Sequence, residues 1–176
     1  MKHRPLDGGQ VLAGLSIRPA RMGEAPDVLA VLREAAVWLE ERGMPMWREE
    51  ELDPMTVAAD VDAGQYVLAI SDAFAVGTLR FTLNDELFWP DAVAEEAAYV
   101  HRLAVRRSHA GGVVSSALLD WATARARALG RPFLRLDCDA MRPSLRAFYE
   151  RQGFVFDSEK TVGRFFVARY QKTTAV

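Results

Sequence analysis

Apolar and polar residues alternate over Leu15-Ser16-Ile17-Arg18 and stop at Pro19, a pattern that predicts a short opening strand. The spacing then changes. Between Asp27 and Glu41, Val28, Val31, Leu32, Ala35, Ala36 and Leu39 recur at helical intervals, and Gly43 and Pro45 end the run. Pro54 to Asp62 predicts a second, shorter helix, with Asp53 as N-cap ahead of a proline at the first helical position. Tyr66–Ile70 and Ala75–Leu83 predict two strands joined by a tight hairpin turn at Ser71-Asp72. Residues 84–98, with Trp89-Pro90 and several acids, predict a loop.

The second half alternates between the two periods. A strand is expected over Tyr99–Val105, a helix over 112–129 with a stop at Gly130-Arg131-Pro132, and a strand over Phe133–Cys138. A helix over Pro143–Gln152 follows, then strands at Phe154–Phe156 and Phe165–Tyr170. This order predicts an α/β or α+β sheet with helices on its faces. With no internal repeat, linker or low-complexity tract, residues 15–176 are expected to form a single domain, and residues 1–14 a flexible leader.

Composition narrows the class. The chain has 176 residues, 50% hydrophobic and 26% charged, with a net charge of −2, which argues against wrapping nucleic acid or adhering to an anionic membrane. No segment approaches the ~20 apolar residues of a membrane span. Residues 1–15 lack the apolar run and small-residue cleavage site of a secretory signal. Cys138 is the lone cysteine, so no internal disulfide forms and a reducing, cytoplasmic location is expected. Its strand neighbours Leu136 and Asp137 predict a buried, inert thiol.

Candidate chemistry concentrates between Val100 and Phe154. A strand that feeds a helix through Arg106-Arg107-Ser108-His109-Ala110-Gly111-Gly112 is a natural anion site, because the first helical N–H groups lack partners within the helix and the helix dipole favours negative charge. The turn has neither the Gly-Lys-Ser/Thr of a P-loop nor a Gly-x-Gly-x-x-Gly dinucleotide fingerprint. By itself such a turn is more often structural, flanked by solvated basic residues.

Val105, the small-residue turn, Leu118-Leu119, the strand over 133–138 and Tyr149-x-x-x-Gly153-Phe154 together resemble the GCN5-related N-acetyltransferase (GNAT) superfamily. The resemblance implies a mixed, mostly antiparallel sheet of six to seven strands flanked by about four helices. It also implies acetyl-CoA as cosubstrate, with no metal. In that family an Arg/Gln-Gly-x-Gly-x-Gly/Ala turn holds the pyrophosphate through backbone N–H groups, and here it falls on Ala110–Ser115. Gly111 matches. Ala110, Val113 and Ser115 depart from the pattern, and Gly112 stands one position early. Because the contacts are backbone, Ala110 costs little, whereas a β-branched Val113 limits close approach.

The implied cofactor contacts are Leu103, Ala104 and Val105 along the pantetheine arm, His109, Ala110, Gly111, Gly112, Val113, Val114 and Ser115 at the turn, and Ser144. Leu103 and Val105 side chains are expected in the core as well. The resemblance makes Tyr149 the acid that protonates the departing CoA thiolate; a packed helix aromatic is the bland alternative. For the base, His101 shares a strand face with Tyr99 and Leu103 on period-2 grounds and has a suitable intrinsic pKa of about 6.5. A structural histidine is its alternative, and Glu95 and Glu96 are competing bases. Arg142 stands where relatives often carry an asparagine; it or Arg146 meets a CoA phosphate or is a surface arginine.

For the acceptor side, Trp38 is expected in the helix core, while Trp47 and Trp89 either line a binding surface or pack the domain. The acids Glu49, Glu50, Glu51, Asp85, Glu86 and Asp91 suit a cationic amine or simply solvate loops. The expected activity is acetyl transfer to a primary amine of a small molecule or peptide by direct attack. Neither nucleic acid nor membrane is an expected partner; the resemblance makes a homodimer one of the options, and the sequence leaves the oligomeric state open. A non-catalytic acyl-CoA-binding or regulatory domain is the alternative.

Overall fold

A computed structural model describes residues 10–12 and 14–175. Its strands follow the order β1-β2-β3-β4-β5-β6-β8-β7: β1 (Gln10–Leu12), β2 (Leu15–Pro19), β3 (Tyr66–Ser71), β4 (Phe74–Thr82), β5 (Ala97–Val105), β6 (Phe133–Asp139), β7 (Val155–Val162) and β8 (Phe165–Thr173). Four helices accompany them among the described residues: α1 (Ala25–Glu40), α2 (Pro54–Asp62), α3 (Val114–Ala128) and α4 (Pro143–Arg151). β5 and β6 pair in parallel, whereas β1–β2, β2–β3, β6–β8 and β8–β7 are antiparallel. This is the mixed, mostly antiparallel sheet expected, with a three-residue β1 added at the edge. Part of the expected leader is therefore a strand, in register with β2 from Gln10↔Ile17 to Leu12↔Leu15. Residues 1–9 and 13 lie outside the described set.

The chain resolves into two compact units, one ending at Leu79 and resuming over Arg102–Leu118, the other comprising Arg80–His101 and the chain from Leu119. In the first, Val28, Val31 and Leu32 of α1 meet Leu52, Val57, Val61, Tyr66, Leu68 and Ala104 in a continuous core. Asp53 caps α2 as its position before Pro54 predicts, its carboxylate accepting the Thr56 N–H at 2.8 Å. Between α1 and α2 a short 3₁₀ turn at Glu49–Leu52, not foreseen, buries Leu52. The hairpin turn sits one residue later than expected: Asp72 and Ala73 both have positive φ (47° and 68°), the backbone a two-residue hairpin loop needs.

Trp38 departs from its expected core position. It is half-buried on α1, with the guanidinium of Arg107 3.7 Å above its ring and that of Arg42 at 4.0 Å. Trp47 packs against the first-unit core.

In the second unit Trp89, Ala97 and Tyr99 form a separate apolar cluster against Phe88, Ala92 and Phe133. Trp89 is stacked by two arginines, Arg169 at 4.4 Å and Arg135 at 4.8 Å. Arg169 is held in turn by Asp91 at 2.7 Å, so this tryptophan and this acid build the unit. β7 continues well past Phe156, with a bulge between Phe156 and Ser158. No helix among the described residues is long and apolar enough to cross a membrane.

Candidate functional site

In the first unit, β5 ends at Val105 and the chain enters a 3₁₀ turn at Arg107–His109 before α3 begins at Val114. Gly111 takes φ +74°, the left-handed conformation that glycine adopts without penalty. The backbone N–H groups of residues 111–116 have no hydrogen-bond partner among the described residues; the first one past them, on Ala117, bonds Val113 O at 2.9 Å. A row of unmatched donors at a helix start is an anion receptor made of main chain. Val113 does not obstruct it: its side chain is turned outward, 63% exposed. Val114 instead points inward and is buried.

The basic residues of the turn are not free cations. Arg106 reaches Glu34 of α1 at 2.6 Å and Ala75 O at 2.7 Å, and the Arg107 N–H bonds the other Glu34 oxygen at 2.8 Å. Burial opposes ionisation of Glu34, but these donors outweigh it and hold its pKa below the usual value. Glu34 thus ties the turn to α1, a role that nothing in the sequence pattern marks. Ser108 Oγ lies 2.9 Å from His109 Nδ1.

A second unforeseen residue is Gly77. A Cβ there would lie 2.8 Å from Val114 Cγ1, 3.1 Å from Leu118 Cδ1 and 3.3 Å from Ala104 O. Only a missing side chain lets α3 start so close to β4.

Arg102 interrupts β5 with φ +52°. Its guanidinium fixes the kink, donating to Tyr66 Oη at 3.0 Å and Glu51 O at 2.6 Å. The alternation of side-chain direction is broken here, so the face that period-2 reasoning gives His101 and Leu103 in common does not carry across. Ala104 is the buried residue, while Leu103 and Val105 are only partly covered, contrary to their expected core placement.

In the second unit, Tyr149 of α4 is 7% exposed and ringed by Phe148, Phe154 and Tyr170. Its hydroxyl has no hydrogen-bond partner among the described residues. Burial, reinforced by Cys138 and Asp137, pushes the phenol above its usual pKa, so it keeps its proton. Cys138 is buried and its thiol is pushed up to about 12, chiefly by loss of water, as an inert thiol should be. Arg142, directly before α4, has Nε and Nη1 buried without an acceptor, whereas Arg146 is spent on Glu159 at 2.7 Å and Tyr170 Oη at 3.1 Å. Ser144 is exposed in the first turn of α4.

The competing bases are paired: Glu96 with Arg135 at 3.1 Å and Glu95 with Arg131 at 3.9 Å. His101 is differently placed. Its Nε2 lies 2.9 Å from Thr82 Oγ1 and its Nδ1 4.0 Å from Asp85 Oδ2. Asp85, His101 and Asp137 bring ligand atoms within 4.8 Å of one another. Removal from water and the neighbouring Asp85 charge push the Asp137 carboxyl up to about 7.

Against known proteins, residues 31–154 match the family model for the Acetyltransferase (GNAT) family. The chain belongs to the GNAT family. Among curated proteins it is 27% identical over 157 residues to the uncharacterized N-acetyltransferase YesJ of Bacillus subtilis, covering 86% of this chain and 87% of that one. Among solved structures, a GNAT-family acetyltransferase from Listeria monocytogenes superposes with a TM-score of 0.78 at 25% identity, over 94% of this chain and 99% of the other. The PaiA N-acetyltransferase of Thermoplasma acidophilum, solved in complex with coenzyme A, has a TM-score of 0.70 at 17% identity over 90% and 98%. The protein is therefore a GNAT acetyltransferase.

Proposed function

We propose that this GNAT acetyltransferase moves the acetyl group of acetyl-CoA to a primary amine of a small molecule or peptide by direct attack. One observation carries the reading: the unmatched N–H groups of residues 111–116 at the glycine turn that follows β5. They suit a pyrophosphate, and the outward Val113 leaves the backbone open to it. Leu103, Ala104, Val105, His109, Ala110 and Ser144 are the remaining contacts assigned to acetyl-CoA.

The amine of the acceptor arrives protonated, since alkylamines of this kind have a pKa of roughly 10. His101 removes one proton; the freed lone pair attacks the acetyl carbon. The second amine proton passes to water, collapse of the tetrahedral adduct breaks the C–S bond, and Tyr149 supplies the proton that the sulfur takes. The buried phenol keeps its proton at neutral pH and so stands as a hydrogen-bond donor to the sulfur as negative charge builds there; Tyr149 is reprotonated from water as the thiol leaves. A reducing cytoplasm is the compartment that suits the lone thiol.

The test is thiol release from acetyl-CoA over a panel of amines, with acetyl-CoA affinity measured by calorimetry. In Tyr149→Phe, kcat is expected to fall about 100-fold with acetyl-CoA affinity unchanged. Binding without thiol release from any amine would identify an acyl-CoA sensor instead. Absence of both binding and release would overturn the reading altogether.

A further inference from the structure

Arg142 ends the loop between β6 and α4, and its guanidinium bonds to none of the described residues. Nε and Nη1 are shut away from solvent, yet no oxygen there accepts from them. The acids nearby on β6 do not serve. Asp139 accepts the Met141 N–H at 2.9 Å, and Asp137 is pushed toward its neutral form by burial and by Asp85. Arg146, one turn further on, shows the ordinary arrangement, bonding Glu159 at 2.7 Å and Tyr170 Oη at 3.1 Å. A guanidinium keeps its charge at any working pH, so a buried one without an acceptor is costly until an anion meets it.

Position says which anion. Arg142 at the N-cap of α4 and Tyr149 stand at i and i+7, the interval of residues that share one helix face. The Tyr149 hydroxyl likewise has no partner among the described residues. The charge of Arg142 is felt at that phenol and at the Cys138 thiol, where it favours the ionised form of each against the burial that opposes it. The other titratable groups around this pair are Asp137 and Asp139 of β6, Arg146 of α4 and Tyr170 of β8. Of the two arginines, Arg146 already has its anion and Arg142 does not. A neutral carbonyl would satisfy one N–H and leave the charge uncompensated. Negative charge that builds beside the phenol answers both donors, and acetyl transfer creates such a charge on the CoA sulfur.

We propose that Arg142 is the fixed positive charge against which the negative charge of the departing CoA sulfur builds, a catalytic role beside that of Tyr149. The inference rests on the acetyltransferase reading and adds a second group at the sulfur. When the C–S bond of the tetrahedral adduct breaks, its electron pair passes to sulfur. The thiolate forms against a guanidinium that already lies out of water, so little solvent has to rearrange. The phenol proton then crosses to sulfur, water restores it to Tyr149, and Arg142 keeps all its protons throughout.

The ultraviolet absorbance of the thiolate tests this. CoA is titrated in its complex with the protein, and the same complex with desulfo-CoA is subtracted to remove the protein's own tyrosines and Cys138. The thiol of bound CoA is expected to ionise about 1–3 pH units below that of free CoA, the effect of an opposite charge close by. Arg142→Gln should move it back toward the free value, and Arg142→Lys should keep most of the lowering. In steady state Arg142→Gln should lose about 100- to 1000-fold in kcat, the range for removing one preorganised donor, with calorimetric acetyl-CoA affinity unchanged. Without ligand the same variant should be at least as stable as wild type in urea, because it gives up no bond and relieves a buried charge. Marked destabilisation would show a structural arginine and overturn the proposal. A bound thiol that ionises like free CoA overturns it in wild-type protein alone, as does one that folded Arg142→Gln leaves unmoved. Lost acetyl-CoA affinity with an unmoved thiol would reassign Arg142 to the cofactor's phosphates. A preference for succinyl-CoA that Arg142→Gln abolishes, again with an unmoved thiol, would reassign it to a carboxylate on the acyl chain. If wild-type protein neither binds acetyl-CoA nor releases thiol, the acetyltransferase reading fails first and the proposal falls with it; turnover with an unshifted thiol sinks the proposal alone.

Discussion

Asp137 carries a pH dependence that its side chain's surroundings make calculable in sign. Burial first and the Asp85 charge second raise its folded pKa to about 7, against roughly 3.9 when unfolded. Between those values the folded chain binds more protons than the unfolded one, so this residue's contribution to stability falls as pH rises from about 4 to 7 and is flat above. Replacing the acid by its neutral isostere removes the loss. Asp137→Asn should therefore gain about 2–3 kcal/mol on wild type between pH 5 and pH 8, at ~1.4 kcal/mol per pKa unit. Urea denaturation of both proteins at the two pH values measures it. A variant that tracks wild type at a constant offset would show that Asp137 ionises normally. The same residue illustrates what a sequence conceals. Asp137 was legible only as the neighbour of Cys138 on a strand, because its chemistry depends on Asp85, far away in the chain, and on how much water reaches it.

At the scale of elements, Gly77 of β4 governs how α3 is seated. A methyl group there would fall 2.8 Å from Val114 and 3.1 Å from Leu118, both in the opening turns of α3, and the neighbouring carbonyl of Ala104 leaves no retreat. Overpacking of this kind costs about 1–3 kcal/mol and is relieved by moving the softer partner. Here that partner is the first turn of α3, which carries the unmatched N–H groups. Gly77→Ala should weaken acetyl-CoA binding about 10-fold by calorimetry, about 1.4 kcal/mol and so comparable to that strain. Unaltered affinity would show that the helix start does not position the ligand.

Most elements could be read from the chain because their signals are local: the helical spacing of α1, the Asp53-Pro54 start of α2, the glycine stop after α3. The turn and the Tyr149 position were legible through their family spacing. Gly77, Glu34 and the kink at Arg102 were not. Each acts through a partner distant in sequence (Val114 for Gly77, Arg106 for Glu34, Tyr66 for Arg102), and no periodicity records that. The same limitation placed Leu103 rather than Ala104 in the core.

For the whole molecule, binding and folding are linked. Any ligand that prefers the folded chain stabilises it by RT ln(1 + [L]/Kd), roughly 2.7 kcal/mol at a hundredfold excess over Kd. For a chain of 176 residues, one kcal/mol moves Tm by about 2–4 °C, so saturating acetyl-CoA should raise Tm by about 5–10 °C. The variants divide this response. Tyr149→Phe should keep the full shift, since its hydroxyl serves the sulfur only after the C–S bond breaks. Gly77→Ala should lose about 70% of the shift at a fixed ligand concentration near ten times the wild-type Kd, because a tenfold weaker site cuts the linkage energy from about RT ln 11 to about RT ln 2. Differential scanning calorimetry over a series of acetyl-CoA concentrations distinguishes the two. A shift abolished in Tyr149→Phe but intact in Gly77→Ala would invert the assignment, making the phenol the anchor of the ligand and the glycine turn a structural feature only.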